Sequence, residues 1–137
     1  MSAYAVKGVY PVRLERNSVV PDAIATAVLE RGLRGGLVLA IGGLKHAELG
    51  VYDRGAGRYV VQTLDATADE TLEVAPMLGN YLVTSSGHVS VHLHVNLAWR
   101  RGSAAGHLVS GLVDPFLEVF LVEVGDVVRE VFFHRDV

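Results

Sequence analysis

Residues 89–99 read Val89-Ser90-Val91-His92-Leu93-His94-Val95-Asn96-Leu97-Ala98-Trp99. Successive residues of a β-strand point to opposite faces of the sheet, so residues two apart share a face. The odd-numbered positions are all apolar. The even-numbered positions from His88 onward carry three histidines, a serine and an asparagine. The pattern predicts a strand with one face in a hydrophobic core and a polar face on which imidazoles gather.

Three histidines around this strand have a spacing suited to metal ligands. His92 and His94 lie about 6.7 Å apart on one face of the predicted strand, and imidazoles at that separation can converge on one ion. If Trp99 pairs with Ala104 across a four-residue loop, His107 lies diagonal to His94 on the same face, within reach of it. The sequence therefore predicts a three-histidine site that suits zinc or another divalent metal.

Two histidines on a strand more often decorate a solvated face than bind a metal, and the third histidine on the same face favours the metal site. Three protein ligands leave one coordination position open for water or substrate. Zinc with an open position lowers the pKa of its bound water toward about 7. The predicted site is therefore compatible with hydrolase or lyase chemistry on a small molecule.

The composition of the 137-residue chain narrows the function classes. There is no cysteine, so disulfides, thiolate catalysis and sulfur-ligated metal sites are excluded and any metal must be held by nitrogen and oxygen. The formal net charge is −3, and Arg100-Arg101 is the only adjacent basic pair. Affinity for nucleic acid depends largely on clustered basic residues, so the charge pattern does not support a DNA partner.

We expect a cytoplasmic, soluble protein with one domain over residues 1–137. No run approaches the roughly 18 consecutive apolar residues of a membrane span, and residues 1–7 lack the basic start and apolar block of a signal peptide. Half of the residues are apolar, which indicates a well-filled core, a buried subunit interface, or both.

One helix is predicted after the first strand. Ser18 is typical of a helix cap, Pro21 and Asp22 of a first turn, and Gly32 of a helix end. Apolar residues between them recur at helical spacing and would face a sheet.

The remainder of the chain predicts strands. The apolar run 37–41, closed by a tight turn at Gly42-Gly43, is typical of a central strand buried on both faces. Pro11 favours an edge strand, and Pro76 a break within a strand. The strands are predicted over residues 8–15, 37–41, 47–52, 59–64, 72–81, 89–99, 117–122 and 127–133. We expect an α+β fold in which a mainly antiparallel, multi-stranded sheet packs with one main helix.

The histidine strand and its surroundings resemble the plants-and-prokaryotes-conserved (PPC) domain family. That family has a glycine before a strand with His-x-His, then Gly-Gly-His-Leu after a turn, then an acidic residue on the following strand. The matching pieces of this sequence are Gly87 to Val95, Gly106-His107-Leu108, Glu118-Val119, Gly42-Gly43, Leu72-Glu73-Val74 and Gly79. The resemblance implies an α+β fold with a large antiparallel sheet, a homotrimer, and zinc binding by His92, His94 and His107.

The sequence departs from the family pattern in three places. Ala105 replaces the first glycine of Gly-Gly-His, and Asn17-Ser18 stands where the family has Pro-Gly-Glu. The Arg-Gly-Arg-Pro arm with which plant members enter the minor groove of DNA is missing. This chain resembles the prokaryotic stand-alone members, to which the family's predicted DNA-binding label transfers poorly.

Glu118 matches the acidic position of the family. On a strand it shares a face with Phe120, so we expect a partly buried carboxylate that needs a partner. It would orient a metal-bound histidine, act as a general base, or pair with an arginine at a subunit interface. His88 is expected to be exposed, and His46 and His134 to be surface residues without convergent partners.

Three hypotheses of function remain open at this point. The first is a stand-alone PPC-type homotrimer of unassigned activity that binds a divalent metal. The second is a DNA-associated regulatory protein, and the third is a metal-dependent hydrolase or lyase with Glu118 as its candidate base.

Overall fold

The computed structural model describes residues 2–137, which form a seven-stranded, mainly antiparallel sheet with a small helical part. The elements in chain order are β1 (Gly8–Glu15), β2 (Val19–Val20), α1 (Asp22–Glu30), β3 (Gly35–Asp53), β4 (Arg58–Asp65), β5 (Leu72–Val83), β6 (Val89–Trp99), β7 (Gly102–Glu123), α2 (Val127–Val131) and a 3₁₀ turn (Phe133–Arg135). The α+β fold class with a mainly antiparallel sheet is confirmed.

Two long strands organise the sheet. β3 and β7 pair with each other from Gly36 opposite Glu123 to Gly50 opposite His107. β3 also pairs with β5 in its first half and with β4 in its second half. β7 pairs first with β6 and later with β1. Since β5 and β6 pair as well, β3, β5, β6 and β7 form a closed ring of paired strands around the core.

The core lies inside this ring and is covered by α1. The helix buries three residues, Ile24, Ala27 and Val28, and contacts β6 and β2. The inner face of β6 is the predicted one: Val89, Leu93, Val95 and Leu97 are buried. Burial of such apolar surface is the main stabilising contribution to the fold.

Several sequence predictions match the elements closely. β1 and β6 have the predicted bounds, and Pro11 lies on an edge strand that pairs only with β7. The hairpin around residues 53–57 is present. The predicted irregularity at Pro76 corresponds to a register shift between Val74 and Met77.

The helix start was predicted wrongly. α1 begins at Asp22, with Pro21 at the cap position and no capping side chain, whereas Ser18 precedes β2. The backbone N–H of Ser18 bonds to the carbonyl of Glu15, and its carbonyl accepts from Val113. Ser18 is therefore held in a turn against β7 and is too early in the chain to cap the helix.

The predicted turn at Gly42-Gly43 is wrong as well, because β3 continues through it to Asp53. A register irregularity lies there instead, and Gly42 has φ +145°. A side chain at Gly42 would clash with the Phe116 backbone of β7. Glycine thus lets β3 bend while keeping both of its neighbours.

Residues 37–41 are not buried on both faces within the described chain. Val38 and Ala40 face the core, whereas Leu37, Leu39 and Ile41 are 48%, 43% and 56% exposed. The continuous apolar run therefore supplies a core face and an apolar outer face.

Residues 127–133 form α2 and the start of the 3₁₀ turn rather than a strand. The N–H of Phe132 bonds to the carbonyl of Val128, a helical i to i−4 bond that satisfies the backbone locally. Short apolar runs do not separate helix from strand by periodicity alone, which explains the error. Between residues 2 and 137 no helix is long and apolar enough to cross a membrane.

Candidate metal centre

The β6–β7 hairpin brings two of the three histidines directly opposite each other. Trp99 pairs with Gly102, so the loop has two residues rather than the predicted four. Because the shorter loop moves the register by two residues, His107 lies opposite His94 instead of diagonal to it. The histidines are thereby closer than the sequence predicted.

His92 completes the cluster on the outer face of β6. The centroids of the imidazole rings lie 5.1 Å apart for His92 and His94, 5.2 Å for His92 and His107, and 5.7 Å for His94 and His107. One nitrogen from each ring lies within 4.8 Å of the other two. Nitrogen ligands of a tetrahedral zinc are about 3.4 Å apart, so small side-chain rotations suffice to close the site.

Two of the three imidazoles, those of His92 and His107, lie in surroundings that favour the neutral form. Burial lowers the pKa of His92, and the positive charges of Arg135 and the other histidines lower it further. Burial also lowers the pKa of His107, with a smaller effect of His94. Neutral imidazole is the metal-binding form, so both rings are available as ligands at neutral pH.

His107 contains an unsatisfied polar atom. Its Nδ1 is buried and has no hydrogen-bond partner within residues 2–137. An unpaired buried polar atom is costly and rare in folded proteins. A metal ion bound at this nitrogen would give it a partner, and three imidazoles are a donor set that suits zinc and similar ions. The residues present therefore fit a divalent metal.

Neighbouring residues shape the cluster. The Tyr59 ring of β4 lies against the His107 ring, with centroids 5.3 Å apart and planes tilted by 34°. Gly79 of β5 lies opposite Leu93, where a side chain would clash with the His92 backbone. Glycine is thus required for β5 to pair with the histidine strand.

The C-terminal segment supplies a cation that sequence reasoning missed. The Arg135 guanidinium donates from Nε to Ser90 Oγ at 3.1 Å, from Nη2 to the Ser90 carbonyl at 2.9 Å, and from Nη1 to Asn80 Oδ1. Asn80 is the cross-strand partner of His92. No sequence signal identified Arg135, because its position depends on how the segment after β7 crosses the sheet.

Glu118 lies away from the histidines. It is exposed, pairs in register with Arg13 and Ile41, and lines a separate apolar groove with Phe120. The expected partial burial is not found in the single chain, because no element within residues 2–137 covers this part of the outer face. Within one chain the structure does not bring Glu118 to the three-histidine cluster.

The other histidines differ from one another. His88 is exposed, as predicted, and so is His134. His46 was predicted to have no convergent partner, which is wrong: its Nδ1 is 2.6 Å from the Asp65 carboxylate, and its Nε2 is 3.7 Å from that of Glu48. Cross-strand pairing of His46 with Asp65 explains the contact.

Comparisons with known proteins find one matching family model and several similar solved structures. The sequence model of the Plants and Prokaryotes Conserved (PCC) domain, the PPC family of the resemblance above, matches residues 1–125. A metal-containing protein from Archaeoglobus fulgidus is 26% identical, with a TM-score of 0.79 over 90% of this chain and 84% of that one. A plant- and prokaryote-conserved protein from Pyrococcus horikoshii is 26% identical, with a TM-score of 0.80 over 90% and 83%.

A candidate DNA-binding protein from Bacteroides thetaiotaomicron is 21% identical, with a TM-score of 0.75 over 88% of this chain and 83% of that one. At this identity the likeness concerns the fold. No functionally curated protein matches the sequence.

Proposed function

The chain belongs to the Plants and Prokaryotes Conserved domain family, and from that premise we propose that it is a homotrimeric protein that binds zinc or a similar divalent metal through His92, His94 and His107. One observation carries the metal site: three imidazoles converge on the outer face of one hairpin, and His107 there has an unpartnered buried nitrogen. The metal-containing relative from Archaeoglobus fulgidus supports it.

Metal analysis tests this site. We expect protein purified without chelator to contain close to one zinc, or another divalent ion, per chain, and the His92→Ala/His94→Ala variant to contain none. His88→Ala is the matched control, because His88 is an exposed histidine outside the cluster. Native protein without metal, or a double variant that retains it, would refute the proposal.

The homotrimer is supported by the outer face that no element covers. Leu39, Ile41 and Phe120 are each between 43% and 56% exposed on the adjoining strands β3 and β7. Both faces of β4 are exposed too. Isolated soluble chains rarely leave such contiguous apolar surface in water. Further copies of the chain would cover it in a closed symmetric assembly.

Light scattering after size exclusion tests the assembly. We expect three times the chain mass of 14.7 kDa, and dissociation in the Leu39→Arg variant. Val6→Arg, which places the same charge at an exposed residue before β1, is expected to remain a trimer. A native protein that elutes as a monomer would contradict the assembly but leave the metal site standing.

A metal-dependent hydrolase or lyase activity on a small molecule is the second candidate function. It is favoured by a groove beside the cluster, lined by His92, His94, Asn80 and leucines and open to solvent. When bound, zinc supplies a Lewis acid and a water of lowered pKa. The residues of the chain would bind and orient the substrate. Hydrolysis of p-nitrophenyl acetate that disappears in His92→Ala/His94→Ala, but not in Glu118→Gln, would support chemistry at the cluster without Glu118.

DNA association is the remaining alternative. It predicts binding to AT-rich duplex that weakens steeply with salt, because phosphate contacts release counterions. A band-shift titration of the zinc-loaded protein with no complex up to tens of micromolar, the weak end of non-specific affinity, would remove it.

A further inference from the structure

Within residues 2–137, Arg135 is the charged residue whose side chain hydrogen-bonds to the histidine strand. Its guanidinium binds Ser90, two residues before His92 on the same face, and Asn80, which lies opposite His92. Arg135 and the three-histidine cluster therefore lie next to each other on the outer face of the sheet.

This guanidinium has no counterion within the chain. No carboxylate of residues 2–137 lies within ion-pair distance of it, although Arg13, Arg16, Arg31, Arg34 and Arg129 each have one. Arg135 is only partly exposed, and burial lowers its pKa, yet a guanidinium stays charged in proteins. A half-buried cation without an anion is unfavourable unless a partner comes from outside.

The hydrogen bonds of Arg135 leave donors free. A guanidinium has five N–H groups, of which three reach Ser90 and Asn80. One N–H on Nη1 and one on Nη2 find no acceptor among the described residues. Two donors on a planar cation match the two oxygens of a carboxylate.

The adjoining groove indicates what the rest of the ligand is like. It measures about 420 Å³ and is lined mainly by apolar residues, with Leu37 and Leu78 beside His92 and His94. None of its lining residues is acidic. A compact organic acid with an apolar part fits this surface better than a hydrated inorganic anion does.

We propose that Arg135 and the metal ion of the three histidines form a two-point site for a small organic carboxylate. This inference rests on the proposed metal site. The carboxylate bonds to the free N–H groups of Arg135, one of its oxygens also occupies the open metal position, and the apolar part of the ligand contacts Leu37 and Leu78. Arg135 is thus a specificity-determining residue.

The segment that carries Arg135 follows the part of the chain that matches the family model. Residues 126–137 lie outside the family match, which ends at residue 125. Asp136 fixes the segment by accepting from the Ser85 backbone N–H at 2.7 Å and from its hydroxyl at 2.6 Å. Asp136 thereby holds the side chain of Arg135 on the sheet, so ligand binding costs Arg135 little further conformational entropy.

Calorimetric titration of zinc-loaded native protein with butyrate tests the site, with butyramide as the uncharged analogue and inorganic phosphate as the competing anion. We expect butyrate to bind more tightly than either. Arg135→Met should weaken butyrate binding about tenfold or more, as loss of charge-assisted hydrogen bonds requires, and Arg135→Lys should weaken it less. Arg101→Gln, which removes an exposed cation from the hairpin loop, is the matched control.

Zinc content and far-UV circular dichroism of each variant separate the outcomes. Weaker butyrate binding by Arg135→Met with full zinc and native dichroism supports the inference, and unchanged binding overturns it. Tighter binding of phosphate than of butyrate overturns the carboxylate assignment. Native protein that holds no zinc overturns the metal site together with this inference, whereas full zinc with no butyrate binding overturns the inference alone.

Discussion

The two ends of β7 each carry a buried polar group, and only one of the two groups has hydrogen-bond partners. Near the end of the strand, the Glu123 carboxylate is 7% exposed and accepts hydrogen bonds from the backbone N–H groups of Arg34 and Gly35 and from the Tyr81 hydroxyl at 2.8–3.1 Å. Near its start, the buried Nδ1 of His107 has no partner.

The difference separates a structural polar group, Glu123, from one that belongs to the proposed metal site, His107. A buried carboxylate is tolerated because the protein satisfies it completely, and its donors fix the turn into β3. A buried imidazole nitrogen without a partner reduces stability, and such a deficit is typical of a site that awaits a ligand. Saturation of hydrogen bonds, more than residue type, tells the two apart in this molecule.

The largest effect on stability is expected when the hydrogen-bonded carboxylate of Glu123 is removed. Glu123→Ala leaves the N–H groups of Arg34 and Gly35 and the Tyr81 hydroxyl without their acceptor, so the free energy of unfolding should fall by about 3–4 kcal/mol. Urea unfolding measures it. Glu130→Ala, at an exposed glutamate of α2, should change stability by less than about 0.5 kcal/mol. Equal effects of the two substitutions would show that the hydrogen bonds of Glu123 do not stabilise the fold.

Zinc should have the next largest effect, at the opposite end of the strand. At a free concentration a hundred times its dissociation constant, zinc should raise the free energy of unfolding by about 2.7 kcal/mol, provided it does not bind the unfolded chain. The His107→Leu variant should show no such increase. Thermal unfolding with and without zinc measures both. A native protein whose stability zinc leaves unchanged would argue against the site.

Without metal, His107→Leu should not lower the free energy of unfolding, whereas most substitutions at partly buried residues do. Because it removes an unsatisfied buried nitrogen and keeps apolar volume, it should leave the metal-free protein equally stable or more stable by about 1 kcal/mol. The matched change at a satisfied group, Tyr81→Phe, should reduce stability, because Glu123 loses a donor. Destabilisation by both substitutions would show that His107 is structural.

The smallest effect concerns His46, an imidazole whose partner is present but screened by solvent. The Asp65 carboxylate, through its hydrogen bond, raises the pKa of His46 above its ordinary value of 6.5. The pair of His46 and Asp65 therefore contributes its full stabilisation below about pH 6.5. It loses this stabilisation as the pH rises through the raised pKa of His46. Relative to Asp65→Asn, native protein should lose a few tenths of a kcal/mol over that range. Unfolding curves at several pH values measure it.

The alternation of residues 89–99 was sufficient to predict both the strand and the face on which His92 and His94 lie. Strand periodicity assigns side chains to faces without knowledge of the neighbours. The pairing of His107 with His94 was less accessible, because the register depends on whether the loop has two residues or four, and Arg100-Arg101 lacks the asparagine or glycine that marks a two-residue turn.

The remaining parts of the site depend on contacts distant in the sequence. Arg135 reaches Asn80 and Ser90 only because residues 127–131 form a helix, which a short apolar run does not reveal. The saturation of Glu123 depends on the approach of Arg34 and Gly35 from a different strand. Local patterns place residues on faces, whereas tertiary contacts decide which polar groups find partners.

The direct opposition of His94 and His107 has a consequence for the order of assembly. All three histidines belong to one hairpin with a two-residue loop, so little loop-closure entropy separates them in the unfolded chain. β7, in contrast, reaches β1 and β3 across most of the sequence. If the proposed ion binds, the folding chain can hold it on this hairpin first, and the metal-bound hairpin would then offer a preformed edge on which the long-range strands assemble.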